Sequence, residues 1–286
     1  MPAKKSQVKM IFPVDMGKFF WQGGSENRRN PMTYPRIKSD VMDDIFAEFE
    51  PLKPTSATMR YFPDLIQGSD EWLAARRGLL TASEMKHILT PTLKVANNDK
   101  TRAHVYELLA QRITRYVEPT YIGDDMLRGQ VDEVEARILY SQHIAPVQEM
   151  GFITNDRWGF TLGYSPDGLV GDDGLIECKS RRQKFQAQTI VENVTSGTIP
   201  SEYMLQCQTG LLVAERAWCD LISYCGGMPM AVIRVFPDAE IQGAIIEAAE
   251  AFEATIAEKL AQYGAAVNSD ARLIPTERKI EQEMFT

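Results

Sequence analysis

The chain is poor in the residues that build cross-linked or cluster-bearing folds. Its 286 residues include only four cysteines, at 178, 207, 219 and 225, and three histidines, at 87, 104 and 143. No two cysteines are spaced as C-x-x-C, which excludes a disulfide framework and a closely spaced zinc or iron–sulfur ligand set. The thiols read as reduced, mostly buried small hydrophobes, and the dispersed histidines as ordinary surface or core residues. Long apolar runs are missing as well. None approaches the roughly 20 residues needed to span a bilayer. No apolar signal segment follows the basic start Met-Pro-Ala-Lys-Lys, so the expectation is a cytoplasmic protein with no membrane partner.

Positive charge is also in short supply. Lys and Arg number 31 against 39 Asp and Glu, a net charge of −8. Alone, this argues against a generic nucleic-acid binder. It leaves room for a local basic groove, which an acidic exterior would make more selective. The two places where positive charge concentrates are Arg76-Arg77 and Lys179-x-Arg181-Arg182-x-Lys184.

What is present is the composition of a soluble globular chain, 44% apolar and 24% charged. Residues 1–60 stand apart. Gly17, Gly23, Gly24, Pro31, Pro35, Pro51 and Pro54 punctuate them, and only a short amphipathic helix over Val41–Phe49 is expected there. We read 1–60 as an N-terminal extension, 61–237 as the core, and 238–286 as a C-terminal helix and tail packed on it.

Within the core, periodicity predicts helices at Ser83–Leu89, with Ser83 as cap or first turn, and at Ala103–Val117. A third runs over Asp124–His143, with Leu127, Val131, Val134, Ile138 and Leu139 as its buried face. Pro146–Ile153, Trp158–Tyr164 and Leu175–Lys179 read as strands. Helices at Lys184–Val194 and Ser201–Ala214 follow, then strands at Trp218–Cys225 and Met230–Phe236 and a helix opening near Asp238. Trp72, Trp158 and Trp218 read as packing residues. The order fits an α/β or α+β fold with a central mixed sheet flanked by helices.

The segment richest in chemistry runs from Gly163 to Lys179. Turn residues at 171–174 fold one strand onto the next, which brings Asp167 beside Glu177. Glu177 and Lys179 are two apart and share a strand face, while Cys178 points the other way. Two carboxylates and an ammonium on one point suit Mg²⁺, which takes hard oxygen ligands, and suit phosphodiester hydrolysis. The rival reading is an exposed hairpin with solvated charges. The apolar lead-in Leu175-Ile176 favours a core strand, where charges are costly unless a metal or partner compensates them. Glu133 is a further candidate, although Asp132, Glu133 and Glu135 read on pattern alone as solvated helix charges. Arg181, Arg182 and Lys184 are either a solvated rim or, lying just past the strand, contacts to a phosphate backbone.

Five motifs then fall in one order: Trp72-x-x-x-Arg76-x-Gly78-x-x-Thr81-Ala-Ser83, Arg128-Gly-x-x-x-Glu133, Ser165-Pro-Asp167-Gly, Glu177-x-Lys179 and Tyr203-x-x-Gln206-x-Gln208. Together they resemble the phage lambda exonuclease family, the YqaJ-like viral recombinases of the PD-(D/E)xK nuclease superfamily. The resemblance implies a restriction-endonuclease-like core and a Mg²⁺ site (Mn²⁺ substituting) formed by Glu133, Asp167, Glu177 and the backbone carbonyl of Cys178. It implies that Lys179 positions or activates the nucleophilic water, with Gln206 and Tyr203 in support, and that Arg76 and Ser83 bind a terminal 5′-phosphate.

The activity implied is ATP-independent 5′→3′ digestion of one strand of linear duplex DNA, leaving a 3′ overhang. The implied partners are double-stranded DNA ends, a single-strand annealing protein and further copies of the chain, as a trimer. For a phage-encoded chain the compartment would be the host cytoplasm. The extension and the C-terminal tail depart from the family pattern. The rivals are an endonuclease of the same fold, an iron–sulfur nuclease of related fold, which the cysteine spacing disfavours, and a non-catalytic DNA-end-binding protein.

Overall fold

The computed structural model describes residues 59–119 and 123–278. The extension and its expected helix at Val41–Phe49 lie outside the described residues.

Two four-stranded sheets form the frame. The first has the order β1-β3-β4-β2, from Arg60–Phe62, Phe152–Asn155, Leu162–Tyr164 and Leu80–Thr81. The second has the order β5-β6-β7-β8, from Gly168–Val170, Gly174–Ser180, Trp218–Tyr224 and Ala231–Val235. Each is mixed: β2 runs parallel to β4 and β6 parallel to β7, and the other pairs are antiparallel. A parallel pair needs a long crossover. Between β6 and β7 the chain supplies helix Gln183–Gln188, a π-helical turn Thr189–Val194, a 3₁₀ turn Ser201–Tyr203 and helix Met204–Ala214.

The remaining helices are α1 (Asp70–Arg76), α2 (Asp99–Thr114) and α3 (Asp124–His143) ahead of β3, and α6 (Ala239–Val267) after β8. Gln183–Gln188 is then α4 and Met204–Ala214 is α5. A 3₁₀ helix at Ala82–His87 follows β2 directly. The core gathers Leu80, Ile153, Leu162, Leu175, Leu211 and Leu221 with Ile245, Phe252 and Ile256 of α6. Helix α5 is the most enclosed, with seven of its residues buried, as expected of a helix apolar nearly all round. It approaches β4 so closely that a Cβ on Gly210 would stand 2.7 Å from Cζ of Tyr164. Helix α6 is fastened to α2 by a two-pronged Arg112–Glu253 ion pair, both bonds 2.7 Å, while Arg112 Nε donates to the Gly78 carbonyl.

Several sequence expectations need correction. The apolar face of α3 is not buried: Leu127, Val131, Val134 and Ile138 are 45–64% exposed, and the helix packs instead through Ala136 and Tyr140. Pro146–Ile153 is not a strand throughout; β3 begins at Phe152, and upstream only Gln148 makes a bridge, to Leu169. Trp158–Tyr164 shrinks to Leu162–Tyr164, because the chain turns at Gly159 with φ of 85°. The helix expected over Ser83–Leu89 is a 3₁₀ helix over Ala82–His87 capped by Thr81, with exposed Ser83 in its first turn. The mixed α/β class with flanking helices holds, its strands forming two four-stranded sheets where one was expected.

Candidate active site

Gly171 takes a left-handed φ of 54° and turns β5 onto β6. The ladder pairs Gly168 with Ile176, Leu169 with Leu175 and Val170 with Gly174. Asp167, one residue ahead of that ladder, comes level with Glu177. Its Oδ2 accepts a 2.5 Å hydrogen bond from the Cys178 amide. The Cys178 side chain sits in a smaller apolar cluster with Ile176 and Ile222.

Glu177 is 2% exposed, and each of its oxygens is satisfied. Oε2 accepts from the Tyr164 hydroxyl at 2.9 Å. Oε1 accepts from Lys179 Nζ and from Gln206 Nε2, both at 2.6 Å. Gln206 Oε1 in turn accepts from Lys179 Nζ at 3.0 Å. The three side chains close a ring, which fixes the amide of Gln206 with its oxygen toward the ammonium. Tyr203 is the adjoining wall: its ring lies 5.4 Å from Lys179 Nζ, and its hydroxyl accepts from Arg181.

Electrostatics follow from this packing. Burial, then the charges of Glu177 and Glu133, push the Asp167 carboxyl well above the usual carboxylate range. Glu133 is also raised, by burial first, with Arg137 opposing and Glu177 adding to the rise. For Lys179 burial favours the neutral amine, but Glu177 and Asp167 outweigh it and the ammonium is held more firmly than usual. Three mutually repelling carboxylates beside one ammonium are a donor set suited to a divalent cation. Among the described residues, however, no group of three or more His, Cys, Asp and Glu is arranged to hold a metal ion as it stands. Each carboxylate is engaged by a protein partner instead. For Glu133 that partner is Arg137, whose Nη1 lies 3.4 Å from Oε1 and 3.1 Å from the Asp167 carbonyl oxygen.

A second cluster adjoins the first through Ser165-Pro166-Asp167. Arg76 stacks on Trp72, its guanidinium carbon 4.3 Å from the ring centroid. It donates to Ser165 Oγ at 3.4 Å and to Thr81 Oγ1 at 3.1 Å, and the indole of Trp72 donates to the same Ser165 oxygen at 3.0 Å. Ser83 Oγ stands 3.4 Å from Thr81 Oγ1. Arg76 and Ser83 are thus joined through Thr81. Burial lowers the pKa of Arg76, with Glu84 opposing, yet arginine stays charged in any such setting.

Arg181 and Arg182 part ways. Arg181 is buried and bound to Glu202 and Tyr203, whereas Arg182 is exposed and paired with Asp125. Three contributors escaped the sequence reading: Tyr164, Arg137 and the Ser165 hydroxyl. The spacing of Glu133 and Arg137, one helical turn apart, was a usable signal. Nothing local marks Tyr164.

A family model described as the YqaJ-like viral recombinase domain matches residues 71–217. The chain belongs to this family. The matched span of this YqaJ-like protein takes in Arg76, Ser83, Glu133, Asp167, Glu177, Lys179, Tyr203 and Gln206. Among solved structures, it is similar to an alkaline exonuclease, LHK-Exo, from Laribacter hongkongensis. The identity is 30% and the TM-score 0.60, over 69% of this chain and 97% of that one. The same enzyme in complex with dAMP matches at 31% identity, a TM-score of 0.60 and the same coverage. A phage-related exonuclease from Haemophilus somnus 129PT matches at 12% identity and a TM-score of 0.49, over 65% of this chain and 96% of that one. No curated protein matches. Among the described residues, no helix is long and apolar enough to cross a membrane.

Proposed function

We propose that the protein is a Mg²⁺-dependent, ATP-independent exodeoxyribonuclease that digests one strand of linear duplex DNA 5′→3′ and leaves a 3′ overhang for annealing-type recombination. The observation that carries this reading is the convergence of Asp167, Glu177 and Lys179 on one buried point, in a chain of a family whose solved relative is an alkaline exonuclease.

Glu133, Asp167 and Glu177, with the Cys178 carbonyl, would hold Mg²⁺, Mn²⁺ being an alternative. When bound, the ion supplies an acidified water and charge neutralisation at the scissile phosphate. Lys179 works as an ammonium: the carboxylates around it keep it protonated, so it orients the nucleophile and faces developing negative charge. Gln206 holds Lys179 and Glu177 in register from the side of α5, and Tyr203 covers the ammonium. Arg76 and Ser83 take the terminal 5′-phosphate, a role that suits a guanidinium braced on an indole. DNA ends are the substrate, Arg181 and Arg182 border the path of the backbone, and an annealing protein and further copies of the chain are the expected partners.

The test is a linear duplex with or without a 5′-phosphate, incubated with and without Mg²⁺, with each strand labelled in turn. Mg²⁺-dependent shortening of the 5′-phosphorylated strand is expected, with closed circular DNA left intact. Nicking of the circle would overturn the exonuclease reading in favour of an endonuclease.

A further inference from the structure

Just past the strand that carries Glu177 and Lys179 lies an open depression of about 840 Å³. Arg128, Asp132, Arg181, Arg182 and Lys184 line it, together with Asp125 from the first turn of α3. It borders the site at two points, since Ser180 follows Lys179 and Asp132 precedes Glu133. Ser180 Oγ donates to Asp132 at 2.5 Å and accepts from Arg128 Nε at 3.1 Å.

Asp125 occupies an unusual position in this depression. One of its oxygens accepts from Arg128 Nη1 at 2.8 Å and from Arg182 Nη2 at 2.9 Å, and the other accepts from Arg182 at 3.1 Å. A carboxylate that gathers two guanidinium groups presents the geometry a phosphodiester would present to them. The pairing is also easily exchanged. Asp125 and Arg182 are each 63% exposed and Arg128 40%, and ion pairs so open to water contribute little. The hydrogen bond from Arg182, ahead of the influence of Arg128, holds the Asp125 carboxyl below its usual range, so it remains charged and in place. Arg181, 9% exposed, also lines the depression, but its guanidinium is turned to Glu202 and Tyr203.

We infer that Arg128, Ser180 and Arg182 form a subsite for a backbone phosphate of the DNA strand, and that Asp125 is its built-in competitor, released when the phosphate enters. The inference rests on the nuclease reading above and deepens it. Asp125 lowers affinity for DNA where the backbone runs, so that a phosphate must displace a resident carboxylate to be held. An acidic residue there discriminates against loosely placed chains and favours a strand delivered in register.

The experiment measures binding of a fluorescent duplex by the full-length protein in EDTA, over a series of salt concentrations. The variants are Asp125→Asn, Arg128→Ala, Arg182→Ala, the pair Asp125→Asn/Arg128→Ala, and Asp124→Asn as a control. Asp124 lines the same depression and its substitution makes the same change of charge. Asp125→Asn is expected to bind about three- to tenfold more tightly, with a log–log salt slope steeper by about one, because a further phosphate contact is gained. Asp124→Asn should gain less, and the double variant should lose the gain. If Asp125→Asn binds no more tightly than Asp124→Asn, the pair is an ordinary solvated surface contact and the inference fails. Digestion of linear duplex by the unaltered protein in Mg²⁺ is followed alongside. Its absence would overturn the nuclease reading and the inference together, whereas its presence with an unresponsive Asp125→Asn overturns the inference alone.

Discussion

The hydroxyl of Tyr164 donates a 2.9 Å hydrogen bond to Oε2 of Glu177, and the bond joins the first sheet to the second. Both groups are buried. Tyr164→Phe would leave one oxygen of an enclosed carboxylate without a donor, at a cost of roughly 1–3 kcal/mol. Urea denaturation should show a lower midpoint with an unchanged slope. An unaltered midpoint would mean that the two sheets do not depend on this contact.

Gly210 and Gly243 make a matched pair of probes. Both are helical, but a Cβ on Gly210 would press within 2.7 Å of the Tyr164 ring, whereas one on Gly243 meets nothing within 4 Å. Gly210→Ala should destabilise by roughly 1–3 kcal/mol through overpacking and reduce activity by pushing Tyr164 off Glu177. Gly243→Ala should stabilise by about 0.5–1 kcal/mol with activity retained. Thermal unfolding and a digestion assay on both proteins decide it.

Lys179→Ala should abolish digestion while leaving fold and duplex binding largely intact. Tyr164 and Gln206 still satisfy Glu177 in that variant, so the strand keeps its place. Circular dichroism and an end-labelled duplex suffice as assays. Digestion at close to the unaltered rate would remove Lys179 from the assigned machinery.

The raised pKa of Asp167 gives a signed expectation with pH. Above the unfolded carboxyl value of about 4, the native state retains a proton that the unfolded chain has lost. Stability from this group is therefore present at low pH and falls as pH rises toward the folded value. A divalent cation must displace that proton to bind. Added Mg²⁺ should consequently raise the melting temperature more at about pH 8.5 than at about pH 5.5. An equal shift at both pH values would place the cation elsewhere.

Arg112→Met should cost roughly 1–3 kcal/mol, since it strands Glu253 and the Gly78 carbonyl at once. If α6 is a mere appendage, guanidinium denaturation will show a separate early transition. A single transition at lower denaturant is expected.

Much of this arrangement was legible in the sequence where local physics governs it. The Gly171–Gly174 turn and the two-residue strand period sufficed to bring Asp167 level with Glu177, and the ladder has that register. Helix α6 opens where the sequence placed it, at Asp238, whose side chain caps the amides of Glu240 and Ile241. Long-range pairing was not legible. Strands β1 and β2 have three and two residues, too short for any period, and exist only because β3 and β4 lie beside them. Helix α3 misled for the opposite reason: its clear apolar stripe is exposed, and small Ala136 with polar-tipped Tyr140 makes the contact. The Tyr164–Glu177 bond links residues thirteen apart in two different sheets, a contact that neither the strand period nor the turn at Gly171 specifies.

The four thiols described at the outset all lie in the interior, none more than 9% exposed. Cys178 is flanked by Glu177 and Lys179, and Cys207 follows Gln206. A thiol reagent should therefore reach Cys178 and Cys207 only as fast as these segments open, whereas Cys225 borders the open depression. Labelling at Cys178 and Cys207 would then time the breathing of the very segments that carry the site, with no added probe.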